Sequence, residues 1–576
     1  MNTRYILFFL AAVCISHGGA MEYYVSPDGN DTGNSGTAAS DPYKTISKAA
    51  GLAKAGDIIN ISAGTYQESV TPAASGTAEK PIIFRKSGSG NAVVTAGGSK
   101  YCFIFRGKNH LVLDGVTCSD SYGWVNIEDA GHITVQNCTF NRGSSYHVFR
   151  IHNGSYNKVL DCTFLEAKAP GAGNADYIGI WRNSHYNLIQ GCEFNRITHN
   201  AVTVMAFEGK VPSHTIIRQC TFLTPGHRGI ACVGSDLTLI EQCTFTGEGS
   251  EYIRLAGTRT LIRHTVMYKQ TAENNQVDPN WDGMVQTRSY INERGDTAQC
   301  QYNRIVHNVF YAPWIVYAIT MRPAELVMRD NIFRNNIFYK IPNLVYHMTP
   351  LKTENNDFCF EHNLVMGSTA GYKLIRKGGD LYSLAGAAAS LPAFFKDNLE
   401  QDPGFLDENS DDFHLTKGSP CVDAGAHLTY SQGGGSGNQI KVRDVLAFCD
   451  GFGLISGDLI SIGSQVPVTI TAIDYTNRVL TVDKTVTWQD NDPVSYLYKG
   501  SGPDMGAYEY SDSGLGLKEY NHKGLKPFKG AREKQQPAKL YTLGGRSVQD
   551  NKANYTGVYF MARRQGLPLV KTIMVK

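Results

Sequence analysis

His132-Ile-Thr-Val-Gln-Asn-Cys-Thr-Phe140 returns as Asn157-Lys-Val-Leu-Asp-Cys-Thr-Phe164, Asn187-Leu-Ile-Gln-Gly-Cys-Glu-Phe194, His214-Thr-Ile-Ile-Arg-Gln-Cys-Thr-Phe222 and Leu237-Thr-Leu-Ile-Glu-Gln-Cys-Thr-Phe245. The cysteines at 138, 162, 192, 220 and 243 stand 23 to 30 residues apart. Further on, Asn308, Asn336 and Asn363 take the cysteine's place in Val306-His-Asn-Val-Phe310, Asn335-Asn-Ile-Phe338 and Glu361-His-Asn-Leu-Val365. A unit repeated at this interval marks a solenoid, in which each unit buries its apolar face only against its neighbours. Apolar and polar residues alternate with period two between Gly, Asn and Ser turns, which is strand patterning. Leucine-rich repeats need a denser leucine pattern, and unrelated strands of a sandwich leave a fixed residue in a fixed slot unexplained. The pattern therefore predicts an all-β chain, a right-handed parallel β-helix with cysteines and then asparagines stacked along one inward position.

The flanks of the repeat have other characters. Residues 1–20 place Arg4 before an apolar run, Ile6 to Ile15, and close with Gly18-Gly-Ala20, the plan of a secretory signal too short for a permanent anchor. Cys14 follows Val13, a poor match to a lipoprotein cleavage site. An exported protein without a transmembrane segment is expected. The 576 residues carry a formal charge of only +2, which points away from nucleic acid as a partner. Of the 13 cysteines, five sit in the repeated slot, where a thiol serves as a small hydrophobe, so few disulfides are expected. Cys-x-x-Cys, His-Glu-x-x-His and Walker motifs are absent.

Ahead of the repeat stand Tyr23-Tyr-Val-Ser-Pro-Asp-Gly-Asn-Asp31, Asp41-Pro-Tyr-Lys-Thr-Ile-Ser-Lys-Ala-Ala50 and Gly56-Asp-Ile-Ile-Asn-Ile-Ser-Ala-Gly-Thr-Tyr66. The middle segment predicts a short helix capped near Asp41, with Pro42 at its start, plugging the open end of the solenoid. Beyond the repeat come Ser419-Pro-Cys-Val-Asp-Ala-Gly425 and Gly502-Pro-Asp-Met-Gly-Ala-Tyr-Glu-Tyr510. This wording resembles the N-terminal caps and closing motifs of the secreted pectate-lyase-like β-helix proteins, and the resemblance spans roughly residues 22–510. It implies one β-helix domain over 21–510 and a polysaccharide substrate, without naming which. Alternation in Val466-Pro-Val-Thr-Ile-Thr-Ala-Ile473 and Arg478-Val-Leu-Thr-Val-Asp483 predicts a small β-insert, about 444–498, against the C-terminal end of the solenoid. Residues 511–539 read as a linker. The tail, 540–576, resembles the C-terminal sorting domains of secreted Bacteroidetes proteins, though shorter.

One strand per coil should line a groove suited to a polymer. Aligning the segments that precede each repeated phrase, from Val148-Phe-Arg-Ile-His152 to Gly283-Met-Val-Gln-Thr287, directs Ile178, Ile180, Val202, Val204, Ile253 and Leu255 inward. Outward go Arg150, His152, Tyr177, Trp181 and Arg254; just ahead of the strands stand Asp176, His199, His227, Arg228, Glu251 and Asp282. Longer loops nearby supply Lys168, Lys210 and Lys269. Arginines and histidines interleaved with aromatics suit sugar rings bearing acidic groups.

Two chemistries fit such a groove. β-Elimination needs a base for the proton α to a uronate carboxylate and cations to neutralise the enediolate. His227 or His199 is then the base, Arg228 and Arg254 the neutralisers and Tyr252 the proton donor. Arg150, His152, Tyr177 and Trp181 bind substrate. Glycoside hydrolysis instead needs two carboxyl groups, about 5–5.5 Å apart for retention. Glu251 and Asp282, on neighbouring coils about 4.8 Å apart, suit such a pair or a Ca²⁺ site. Asp176 and Glu251, three coils or roughly 14 Å apart, cannot be partners. The cationic content favours a lyase acting as a monomer on a glycosaminoglycan or pectin-type chain. A hydrolase or a non-catalytic glycan-binding solenoid is the alternative.

Overall fold

A computed structural model describes residues 19–511, apart from 168–174, 224–227, 248–250, 269–282, 292–294, 312, 314–316, 324–325, 327, 348–357, 368–374, 378–379 and 464–466, together with three short strands of the tail. The leader read at 1–20, apart from its last two residues, and nearly all of the linker read at 511–539 lie outside the described residues. Two compact units emerge, Met1–Tyr520 and Asn521–Lys576.

In the first unit each strand pairs in parallel with the equivalent strand of the next coil. One inward column runs Phe149, Ile178, Val202, Ile230, Ile253, Val285, Ile319, Val345 and Ile375 in unbroken register. The repeated phrase builds a second face. Thr139, Thr163, Glu193, Thr221 and Thr244 are in register, which stacks the cysteines one position earlier. Cys138, Cys162, Cys192, Cys220 and Cys243 are buried, and every cysteine among the described residues is a free thiol. Each is preceded by a residue with positive φ: Asn137, Asp161, Gly191, Gln219 and Gln242. That left-handed corner tolerates Asn, Asp and Gly best, which accounts for Asn137, Asp161 and Gly191, while Gln219 and Gln242 adopt it without that advantage. Beside the thiols, Phe140, Phe164, Phe194, Phe222 and Phe245 stack with centroids 4.9, 4.7, 5.0 and 4.4 Å apart. In the later coils the ladder turns polar. The side-chain amides of Asn308, Asn336 and Asn363 donate in turn to Asn336, Asn363 and Asn398 at 2.9–3.0 Å. Buried amides are admitted because each finds a partner one coil along.

The N-terminal helix spans Ile46–Leu52 and buries Ile46, Ala49 and Ala50 in the core. Its cap is Thr45 rather than Asp41, and Glu68 accepts from the first two helical N–H groups at 2.8 Å. Asp41 instead accepts from Ser35, so the loop before the helix is longer than Pro42 suggests.

The insert also departs from expectation. It begins earlier, at Thr429–Tyr430, and forms a six-stranded antiparallel sheet ending at Pro493–Tyr496. It packs on the flank of the middle coils rather than on the end of the solenoid. Leu188, Ile216, Leu239 and Leu261 occupy one column of successive coils and share a buried cluster with Ile440, Phe448, Ile460 and Ile470. The same column carries Thr134 and Lys158 in earlier coils. Polar positions become apolar where the sheet arrives, the signature of a covered face. In the second unit, Leu540–Tyr541 pairs antiparallel with Ser547–Val548 and with Phe560–Met561.

Candidate active site

The inward isoleucines and valines hold the groove strands against the core, and the first residue of each strand sits where the chain turns into the sheet. These first residues form a column: His147, Asp176, Asn200, Arg228 and Glu251, one per coil and all buried. A buried charge survives only if paired, and here the partners come from neighbouring coils.

His199 Nδ1 lies 2.6 Å from Asp176 Oδ1, and the carboxylate also accepts from Asn200 Nδ2 at 2.8 Å and Thr203 Oγ1 at 2.6 Å. The carboxylate holds the imidazole proton on Nδ1, leaving Nε2 as the lone-pair nitrogen. Asn200 Oδ1 accepts from Arg228 Nη1 at 3.4 Å. Arg228 Nε donates to Glu251 Oε2 at 2.5 Å, while Glu251 Oε1 accepts from Arg254 Nη2 at 3.0 Å and Gln286 Nε2 at 2.7 Å. One network thus links the histidine to two guanidinium groups that share a single carboxylate. Burial pushes the Glu251 carboxyl up, but Arg254 and Arg228 outweigh it and leave the group below its usual range.

Beside this network, His147 lies across Gly179, where a Cβ would come within 2.7 Å of the imidazole, so glycine is required there. His147 meets Trp181 edge-on at 4.1 Å, and His152 stacks on the same indole at 5.6 Å. His152 Nδ1 accepts from Arg150 Nε at 2.9 Å, and Arg150 Nη2 stands 3.6 Å from Glu128. Burial, the largest cause in both, lowers His147 to about 4 and His152 to about 2; Asp176 opposes it at His147, and Arg150 adds to it at His152.

Of the residues read from the sequence, His199, Arg228, Arg254 and Glu251 come together, and Arg150, His152 and Trp181 adjoin them. Two tyrosines do not face the groove. Tyr177 is buried against Trp124, Phe164 and Phe194, its hydroxyl donating to the Asn195 and Arg196 carbonyls. Tyr252 is buried beside Phe245 and donates to the Gly247 and Tyr268 carbonyls at 2.9 and 2.8 Å. Burial drives its hydroxyl pKa far up, and both bonds hold the hydroxyl in the core away from the groove. At the corner two successive residues, Tyr177 and Ile178, point inward, and strict alternation fails there. His227, Asp282, Lys168 and Lys269 lie outside the described residues; Lys210 is exposed at a turn with Phe207. His147, Asn200, Thr203 and Gln286 were missed. Reading the alignment one residue earlier would have exposed the polar column.

Ca²⁺ does not fit at Glu251. Both carboxylate oxygens already accept from Arg228, Arg254 and Gln286, and a divalent cation would stand against two guanidinium groups. Among the described residues no group of three or more His, Cys, Asp and Glu side chains is placed to hold a metal.

Residues 101–267, which include the whole network from His147 to Arg254, match the family model described as right handed beta helix region. The fold is a right-handed parallel β-helix. Residues 27–73 match a model described as a protein of unknown function, DUF1565. An uncharacterized protein, YwoF, of Bacillus subtilis (strain 168) is 33% identical over 131 residues, which are 22% of this chain and 26% of that one. The chain thus covers about a quarter of that curated relative. Among solved structures, a mannuronic acid specific polysaccharide family 6 lyase from human gut microbiota is 13% identical with a TM-score of 0.42, covering 62% of this chain and 89% of that one. A GH136 lacto-N-biosidase from Eubacterium ramulus is 13% identical with a TM-score of 0.43, covering 66% and 68%. One of these is a lyase and the other a glycosidase, and likeness at this level does not choose between them. Among the described residues no helix is long and apolar enough to cross a membrane.

Proposed function

We propose that this protein is an exported polysaccharide lyase that cleaves a uronic-acid-containing chain by β-elimination in the groove. The observation that carries the reading is the joining of the Asp176–His199 pair to Arg228 and Arg254, two cations sharing one carboxylate, through Asn200. His199 Nε2 takes the proton α to the uronate carboxylate, and Asp176 stabilises the imidazolium that forms. Arg254, which keeps an open edge, and Arg228 behind it neutralise the enediolate as it develops. Electrons then form the C4–C5 double bond, the C4–O bond breaks, and protonated His199 returns its proton to the departing oxygen. Trp181 and Arg150, one and two coils towards the N-terminus, hold the neighbouring sugar.

The glycosidase alternative requires a carboxyl group that stays protonated to act as acid. Glu251 is held in the opposite state by its two arginines. The test is digestion of alginate, polygalacturonate, hyaluronan and chondroitin sulfate. An unsaturated uronate with its ultraviolet absorbance is expected, and His199→Ala should slow it by about 10²–10⁴-fold. Reducing ends formed without that absorbance assign a hydrolase, and no cleavage of any glycan leaves a binding solenoid.

A further inference from the structure

Two tyrosines outside this network stand exposed at the groove's edge, Tyr122 at 39% and Tyr146 at 49% of their surface. They stand on adjacent coils: Ser121 pairs with Gly143 and Val125 with Phe149, so the stretch that carries Tyr146 holds two more residues than the stretch that carries Tyr122. On the coils that follow, the position of Tyr146 is taken by Ala175 and then by His199. Ala175 is buried in the core and adds only a methyl group between the Tyr146 ring and the base. Across that small residue Tyr146 approaches His199, with ring centroids 6.2 Å apart, and stands equally far from Trp181.

The two rings are held in place from behind. Tyr101 lies across Gly123, whose Cβ would come within 2.1 Å of the phenol ring. It meets Tyr122 edge-on at 5.6 Å, and its hydroxyl donates to the His147 carbonyl at 2.9 Å, one residue from Tyr146. Backbone N–H groups of Ser144 and Ser145 donate to the Tyr122 carbonyl, tying the two coils together at this point. A large exposed aromatic fixed by its neighbours has lost its conformational entropy before any ligand arrives.

Tyr156 gives the contrast. It is 41% exposed but sits inside a parallel stack, 5.1 Å from His132 and 4.8 Å from Tyr186, and so offers an edge rather than a face.

We propose that Tyr122 and Tyr146 form a stacking platform for two successive pyranose rings of the acidic polysaccharide, on the N-terminal side of His199. The proposal rests on the groove being a polysaccharide site, and not on the chemistry assigned to His199. The C–H face of each sugar packs on a phenol ring, leaving carboxylates and hydroxyls to Arg150 and solvent. Tyr101 is a positioning residue for the platform.

The test uses the full chain in affinity electrophoresis through gels carrying alginate, polygalacturonate or chondroitin sulfate, with steady-state kinetics on any polymer that is cleaved. Tyr122→Ala/Tyr146→Ala should weaken retention by about 10-fold, or roughly 1.4 kcal/mol, and Tyr146→Phe should restore most of the loss at that position. Tyr156→Ala should migrate as the unaltered protein does. On a cleaved polymer the double variant should raise KM by a similar factor and change kcat by less than about 3-fold, the mark of uniform binding. Retention and KM unchanged in the double variant overturn the platform even if cleavage establishes the lyase. A protein retained by none of the three polymers also overturns it. Weakened retention with no cleavage of any polymer supports the platform while removing the lyase.

Discussion

The middle coils carry a buried arginine–carboxylate cluster on each of two flanks, and the two differ in cover. On the insert side, Arg263 donates through both terminal nitrogens to Asp458 at 2.6 Å and to Glu241 at 2.7–3.0 Å, with Arg218 2.9 Å from Glu241. Two cations meet two carboxylates, the Arg263 guanidinium lies 4.8 Å from the Tyr496 ring centroid, and the insert seals the cluster. On the groove side, Arg228 and Arg254 share Glu251, Asp176 joins Arg228 through Asn200, and Arg254 keeps 16% of its side chain exposed. The same ion chemistry serves as a clasp where it is covered. On the groove side one guanidinium keeps an edge in the open.

The largest effect expected from this comparison is on stability, at the clasp. Arg263→Met leaves Asp458 buried with only the Cys449 N–H as partner, which should cost about 3–5 kcal/mol. Arg263→Met/Asp458→Leu should recover much of that, because an apolar replacement of a whole pair is often neutral. Urea unfolding reads both, and a loss under about 1 kcal/mol for the single variant would show that the cluster is not a clasp.

Arg254→Ala should behave in the opposite way. Glu251 keeps Arg228 and Gln286, so unfolding should change by no more than about 1 kcal/mol. The rate of β-elimination should fall about 10²–10³-fold, the usual cost of one electrostatic stabiliser. An Arg254→Ala protein that unfolds early and retains its rate would reverse the roles of the two flanks.

How far these flanks were legible in the sequence depends on what each residue reports. The Cys138-to-Cys243 and Asn308-to-Asn363 ladders announce the coil directly, because one slot repeats one residue and the interior allows little else. Arg254 was legible because alternation holds within the strand, and Arg228 because it stands just ahead of one. Tyr177 and Tyr252 were misplaced because it fails at the corner, where backbone geometry turns two neighbours inward. The insert's docking face was written in Leu188, Ile216, Leu239 and Leu261, which stand at outward positions and should be polar if exposed. Asp458, 195 residues from Arg263, could not be paired with it by any local pattern.

The smallest effect is a matter of slope, and it belongs mainly to the groove side. His147 is buried and lowered from an ordinary 6.5 to about 4, with Asp176 opposing the burial and Arg150 and His199 adding to it. The folded protein therefore binds the proton more weakly than the unfolded chain. The stability that neutral His147 contributes is complete above pH 6.5 and is lost progressively as pH falls towards 4, at up to about 1.4 kcal/mol per pH unit. His152 acts in the same sense down to about 2, and burial pushes His307, under the C-terminal coils, down as well. Unfolding free energies at pH 7, 6 and 5 should fall steadily, and His147→Gln should make the line shallower by about one proton's worth. The glutamine keeps a donor near Asp176 but cannot titrate, so any loss it causes at pH 7 should shrink by pH 5. Parallel lines for the variant and the unaltered protein would mean that His147 is not held neutral in the fold.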